Sequence, residues 1–168
     1  STGEVNDRFQ TVRFPSSLAK NRLDGLIVVG FYLPAKFTTA IQSFNCPVVL
    51  VDGYSEGEVF DSVRMNNIEG AYHAVSYLIE KGHRHIGLIG STPGAFPDLL
   101  ERREGYLKAL QDHNIATAYI ENGLIFRDSA AVAAGELLRK YPHLTAIYVC
   151  NDNAAIGVMN SIRNLNLR

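Results

Sequence analysis

Excess charge of either sign is missing from this chain: sixteen lysines and arginines stand against seventeen aspartates and glutamates, leaving a net charge of -1 over 168 residues. No overall positive field draws it toward nucleic acid, so if the whole protein binds DNA, another segment does it. Long apolar runs are missing too. No window approaches the ~20 residues that a membrane helix needs, and the opening STGEVNDRFQ has neither the basic nor the apolar part of a signal peptide. A signal removed earlier stays open, because the chain begins abruptly. Cysteine is scarce: Cys46 and Cys150 are far apart, show no CxxC or metal-ligand spacing, and lie beside or within apolar runs where a thiol packs as a small hydrophobe. Reduced cysteines in a cytoplasmic protein are the simplest reading.

Catalytic signatures are absent as well. Gly87, Gly90 and Gly94 do not fit the dinucleotide spacing, and there is no phosphate-binding GK[ST] loop. Residues 90–94, GSTPG, have the spacing of a nucleophile elbow with threonine in place of serine, but the proline and the lack of an acid and base partner make this a loop. His83 and His85 flank one arginine with no third metal ligand near in sequence. No enzyme, metal site or cofactor is expected.

What is present is an α/β pattern. The run NNIEGAYHAVSYLIEKGHRHIGLIG, residues 66–90, reads as one helix feeding a buried strand. Ile68, Ala71, Tyr72, Val75, Leu78 and Ile79 share one helix face; Asn66 or Asn67 can cap its start and Gly82 can close its end. Four apolar runs, at 26–29, 48–51, 86–89 and 146–149, are candidate buried strands, separated by enough chain for crossovers and so expected to pair in parallel. Helices are expected at 35–44, at 67–81, around 99–113, at 128–141 and from Asp152, the last with Ala155, Val158, Met159, Ile162 and Leu165 on its apolar stripe. Weaker strands are expected at 62–65 and 119–125. Residues 1–23 offer a loop and one possible helix but no clear opening strand, and both ends of the chain look cut.

In open parallel sheets, ligands bind beyond the carboxyl ends of the strands. Those ends are Gly30-Phe31, Asp52-Gly53, Gly90-Ser91 and Asn151-Asp152, small or polar throughout, which suits a pocket gripping hydroxyls. The competing reading is that Asp52 and Asp152 make turns and cap helices, and for Asp152 capping is favoured. Asn151 is the better ligand candidate, since its amide both donates and accepts. Arg102 and Arg103 stand near a helix start, where carboxylates are preferred. Either they meet paired hydroxyls or a carboxylate, or they are solvated surface charge.

Five blocks in order resemble the LacI/GalR family of bacterial transcription regulators: DGLIVVG at 24–30, CPVVLVDGY at 46–54, the 66–90 run with its GHR-x-IG, RREGYLKAL at 102–110, and TAIYVCNDNAAIGVMNSI at 145–162. The resemblance implies two Rossmann-like lobes with parallel sheets, as in periplasmic binding proteins, with residues 1–66 in an N-terminal lobe and 67–168 comprising the crossover helix and a C-terminal lobe. It implies a small-molecule effector, most plainly a sugar or related compound, bound between the lobes of a cytoplasmic homodimer. Operator DNA would be held by a helix-turn-helix domain outside this chain. Residue by residue, it favours Arg102 over Arg103 as an effector contact and adds Asn151 and Asp52. Asn66 stands where the family has aspartate, which keeps a cap and removes a charge. An aromatic ring is expected at Ile125 or its neighbour Phe126, and Phe96 is a further candidate in the variable loop. As a fragment of such a core, the chain is expected to bind effector weakly or not at all in isolation. The rival is a periplasmic sugar-binding protein of a transport system, told apart by a signal peptide upstream; a third class is a nucleotide-using α/β enzyme.

Overall fold

The structure is a computed structural model that describes residues 4–5, 11–13, 23–30, 32–123 and 125–167. Its contacts divide the chain into two compact units, Ser1–Met65 and Asn66–Arg168.

In the first unit, β1 (Glu4–Val5) and β2 (Thr11–Arg13) form an antiparallel pair, a correction to the expectation of no opening strand. The helix considered within residues 1–23 falls largely outside the described residues, as does Phe31. A parallel sheet follows in the order β3 (Leu26–Val29), β5 (Val48–Val51), β7 (Asp61–Val63), and a small parallel ribbon joins β4 (Tyr32–Leu33) to β6 (Tyr54–Ser55). Helix α1 (Ala35–Gln42) starts after Pro34, which has no side-chain cap to offer; Glu56 Oε2 accepts the Ala35 N–H at 2.8 Å instead. Leu33, Ile41 and Leu50 make the core, with Leu26, Val28 and Phe37 against it. Strand β3 was expected to be buried, yet Ile27 and Val29 on one of its faces are 69% and 58% exposed. Side chains alternate across a strand, so with α1 on one face only, half of an all-apolar run stays bare.

The second unit carries the complete α/β logic. Helix α2 (Asn67–Glu80) leads to β8 (Ile86–Ile89); α3 (Pro97–Asp112) leads to β9 (Tyr119–Glu121); α4 (Arg127–Lys140) leads to β10 (Ala146–Val149); and α5 (Asp152–Asn164) follows. The sheet order is β10-β8-β9, all parallel, with Ile86 opposite Ala146 and Gly87 opposite Tyr119. Central β8 is buried at every position, as its apolar sequence requires of a strand covered on both faces. One core holds Val75, Ile79, Leu88, Tyr106 and Leu110; another holds Ile89, Ala130, Ala134, Leu137 and Val158. The wholly enclosed Tyr106 hydroxyl is satisfied, donating to the Ile86 carbonyl at 2.8 Å and accepting the Tyr119 N–H at 3.2 Å, and burial pushes its pKa to about 12.

Candidate functional site

The carboxyl ends of β8 and β10 are tied together by two arginines from α3. Arg102 Nη1 donates to the carbonyl of Cys150, the residue after β10, at 2.5 Å, and its Nε donates to Asn67 Oδ1 at 2.9 Å. Arg103 Nη1 donates to the carbonyl of Ser91, beyond β8, at 3.1 Å. Neither guanidinium is the loose surface charge of the bland reading. Arg102 is further answered by Asp98 one turn earlier, 3.6 Å away, with side chains only 17% and 25% exposed. Asn67 in turn donates to Glu101 at 2.8 Å.

Two glycines make this geometry possible. A Cβ on Gly105 would lie 2.2 Å from the Ile68 carbonyl oxygen and 2.7 Å from Ala71 Cβ, so α3 abuts the first turns of α2 backbone to backbone. That close approach, one turn beyond Arg102, sets the arginine against Asn67. Likewise a Cβ on Gly157 would lie 2.0 Å from the Arg127 carbonyl oxygen, so α5 presses on the start of α4. In both motifs, R-x-x-G and A-x-G, the glycine is where one helix seats on another.

Asn151 rather than Asp152 is the N-cap of α5: its Oδ1 accepts the Ala154 N–H at 2.7 Å, and Asp152 falls in the first turn. This corrects the expected cap, for a simple reason. An amide oxygen caps as well as a carboxylate, and Asp152 one place later still opposes the helix dipole. Asn151 Nδ2 donates to the Ile125 carbonyl at 3.3 Å, so both ends of the amide have partners within the protein. Ile125 packs into the core of the unit, and Phe126, at the N-cap position of α4, is 41% exposed. Phe96 holds the corresponding position before α3 and is half-buried. Asn66 is the cap of α2, accepting the Glu69 N–H at 3.2 Å and donating to the Glu69 carboxylate at 2.6 Å.

Arg102, Asn151 and Ile125 are therefore linked around one strand end, through the Cys150 carbonyl and the Asn151 amide. Asp52 belongs to the first unit, at the end of β5, in a left-handed conformation (φ 50°). Its Oδ1 is enclosed and has no hydrogen-bond partner among the described residues. Asp98 was not singled out from sequence, and Ser91 was named only as part of a strand end. The Asp98 to Arg102 spacing of one helical turn was visible there, whereas Asn67 was weighed only as a cap.

Behind the arginines, Cys150 is a free, buried thiol, pushed up to about 11 by burial, with nearby Arg102 pulling the other way. Ser91 beside it is fully enclosed. Three of the five histidines lie at the opposite, amino ends of the strands: His83 Nδ1 meets Thr145 Oγ1 at 2.9 Å, and His85 Nδ1 and His143 Nε2 each meet the Tyr119 hydroxyl at 3.0 Å. Among the described residues no cluster of three or more histidine, cysteine or acidic side chains could hold a metal, and no helix is long and apolar enough to cross a membrane.

Residues 75–168 match the family model of the periplasmic binding protein-like domain. The HTH-type transcriptional repressor PurR of Yersinia enterocolitica is 34% identical over 160 residues, which are 90% of this chain and 45% of the repressor. The chain thus spans about half the length of the curated relatives it matches. Among solved structures, the transcriptional regulator CelR in complex with cellobiose superposes with a TM-score of 0.80 at 25% identity, covering 91% of this chain and 48% of that one. A sugar-binding LacI-family regulator of Escherichia coli, complexed with phosphate, gives 0.76 at 25% identity over 91% and 56% of the two chains. The named relatives are transcription regulators, a LacI-family one among them, and the domain match shows that the chain belongs to the periplasmic binding protein-like domain family.

Proposed function

We propose that this chain is the sensing part of a LacI-type repressor, in which a neutral, hydroxyl-rich small molecule, a sugar or a close relative, meets Arg102 at the carboxyl ends of β8 and β10. The carrying observation is the state of that guanidinium. Its Nε and Nη1 are oriented by Asn67 and the Cys150 carbonyl, and its charge is already opposed by Asp98 at 3.6 Å. Five N–H groups in a rigid fork leave donors for a ligand after those bonds are made. A site with its charge so balanced suits hydroxyls better than a second anion. The sugar-binding regulator and the cellobiose complex among the structural relatives support the same ligand class.

In the whole protein, residues 1–66 and 67–168 would act as two lobes, Asp52 and Phe126 would add contacts from their own strand and helix ends, and ligand would alter the lobe arrangement. Only a difference in affinity between two arrangements can drive such a switch; coupling is commonly ~1 to 3 kcal/mol, about 5- to 150-fold in affinity. A helix-turn-helix domain outside this chain, paired in a cytoplasmic homodimer, would report it to operator DNA. A thermal-shift panel of sugars, nucleobases, NAD and ATP on the intact protein tests this reading. Stabilisation by a sugar or nucleobase is expected, reaching about 2.7 kcal/mol at a hundred times Kd. Stabilisation by NAD or ATP alone would contradict it.

A further inference from the structure

We infer that Asn67 is a positioning residue that ties the Arg102 guanidinium to the first turn of α2, the point at which the chain passes from its first compact unit into its second. The inference rests on the reading of Arg102 as the effector contact, and it adds how that contact is wired to the rest of the chain.

Asn67 is the first residue of α2, directly after the cap Asn66, and only 5% exposed. A carboxamide so enclosed must be hydrogen-bonded. Its oxygen accepts from Arg102 Nε at 2.9 Å and its nitrogen donates to Glu101 Oε2 at 2.8 Å, so it grips two successive residues of α3 from one helix start. Beside that grip the two backbones are in direct contact through Gly105, which leaves no side chain to absorb relative movement of α2 and α3. At the other end of Arg102, the carbonyl of Cys150 belongs to the residue before Asn151, the cap of α5. A pull on the guanidinium is thereby shared between the start of α5 and the start of α2. The boundary between the units lies between Met65 and Asn66, two residues before Asn67 in the chain. A ligand that shifted Arg102 would act on the start of α2 through a charged hydrogen bond rather than through compliant packing.

The test needs no ligand. In the full chain labelled with nitrogen-15, the Arg102 Nε–H signal reports its bond to Asn67. We expect slow exchange in the native chain, exchange faster by about tenfold or more in Asn67→Ala, since a hydrogen bond to a charged group is lost, and recovery in Asn67→Asp, which keeps the acceptor while losing the donor to Glu101. Conversely, Arg102→Lys should speed exchange of the Glu69 and Gly70 amides at the start of α2 while leaving those in the second half of α3 unchanged. A purely structural Asn67 would slow or speed both helices together and would not be rescued by Asp. An Arg102 Nε–H signal unmoved by Asn67→Ala, or a start of α2 indifferent to Arg102→Lys, would overturn the inference. Because no effector is added, this outcome is separate from the ligand panel, and either can fail alone.

Discussion

At the scale of single residues, the strand ends combine polarity with enclosure. Cys150 illustrates the consequence. Its thiol is 3% exposed and raised to about 11, and the reactive species is the thiolate. Iodoacetamide at pH 8 is therefore expected to label Cys46, which is half-buried, well before Cys150, and to label both in urea. Peptide mass spectrometry reads this directly; equal labelling of the two in the native chain would mean that the carboxyl end of β10 is open. Tyr106 makes the matching statement about pH. Its phenol is raised from 10 to about 12 by burial, so the contribution it makes to stability is full below pH 10 and is lost as pH rises through about 12. Arg102 and Asn151 were legible as candidates because guanidinium and amide groups at strand ends are chemically conspicuous. That the protein itself already orients both side chains was not legible, since the partners, the Cys150 and Ile125 carbonyls, the Ala154 N–H and the Asn67 amide, take positions that only the fold supplies.

Helices and strands were read from periodicity with good fidelity, and their departures share a cause. The four strong strands occupy the expected residues, and α2 ends as expected: with Gly82 at φ 96°, His83 N–H bonds to Leu78 O and Gly82 N–H to Ile79 O, closing the last turn. Asn114 and Asn166, also at positive φ, close α3 and α5 the same way without glycine. The apolar stripe of α5 was placed only in part. Val158 is buried and Ile162 packs against the core as expected, but Met159 and Leu165 are 50% and 49% exposed, while Ala154 and Gly157, outside the expected stripe, are buried. Hydropathy favours bulk, and this helix packs through its smallest residues because Gly157 lies against the Arg127 backbone. Glycine context also sets opposite signs for one substitution. Gly70→Ala in α2 meets nothing within 4 Å and should stabilise by up to about 1 kcal/mol through helix propensity. Gly105→Ala gains the same propensity but drives a methyl to 2.2 Å from a carbonyl oxygen, where overpacking costs about 1 to 3 kcal/mol or more, so it should destabilise. Urea unfolding of both variants checks the pair; a stabilising Gly105→Ala would remove the direct seating of α3 on α2.

For the molecule as a whole, the two units differ in how fully their sheets are covered. The second buries β8 on both faces, whereas the first leaves Ile27, Val29 and Val63 on one face of its sheet more than half exposed. Sequence alone could not distinguish them, because an apolar run reads the same whether one face or both will be covered. In the second unit Arg102 is fixed at the ends of two strands with its charge balanced by Asp98, and the proposed ligand contact rests on it. Its most direct test is a calorimetric titration of the intact protein with the most stabilising sugar or nucleobase of the thermal-shift panel, repeated on Arg102→Lys, which keeps the charge and loses the fork. Affinity weaker by about tenfold or more, the worth of a charged hydrogen bond, is expected for Arg102→Lys; equal affinity in the two proteins would rule out Arg102 as the ligand's contact.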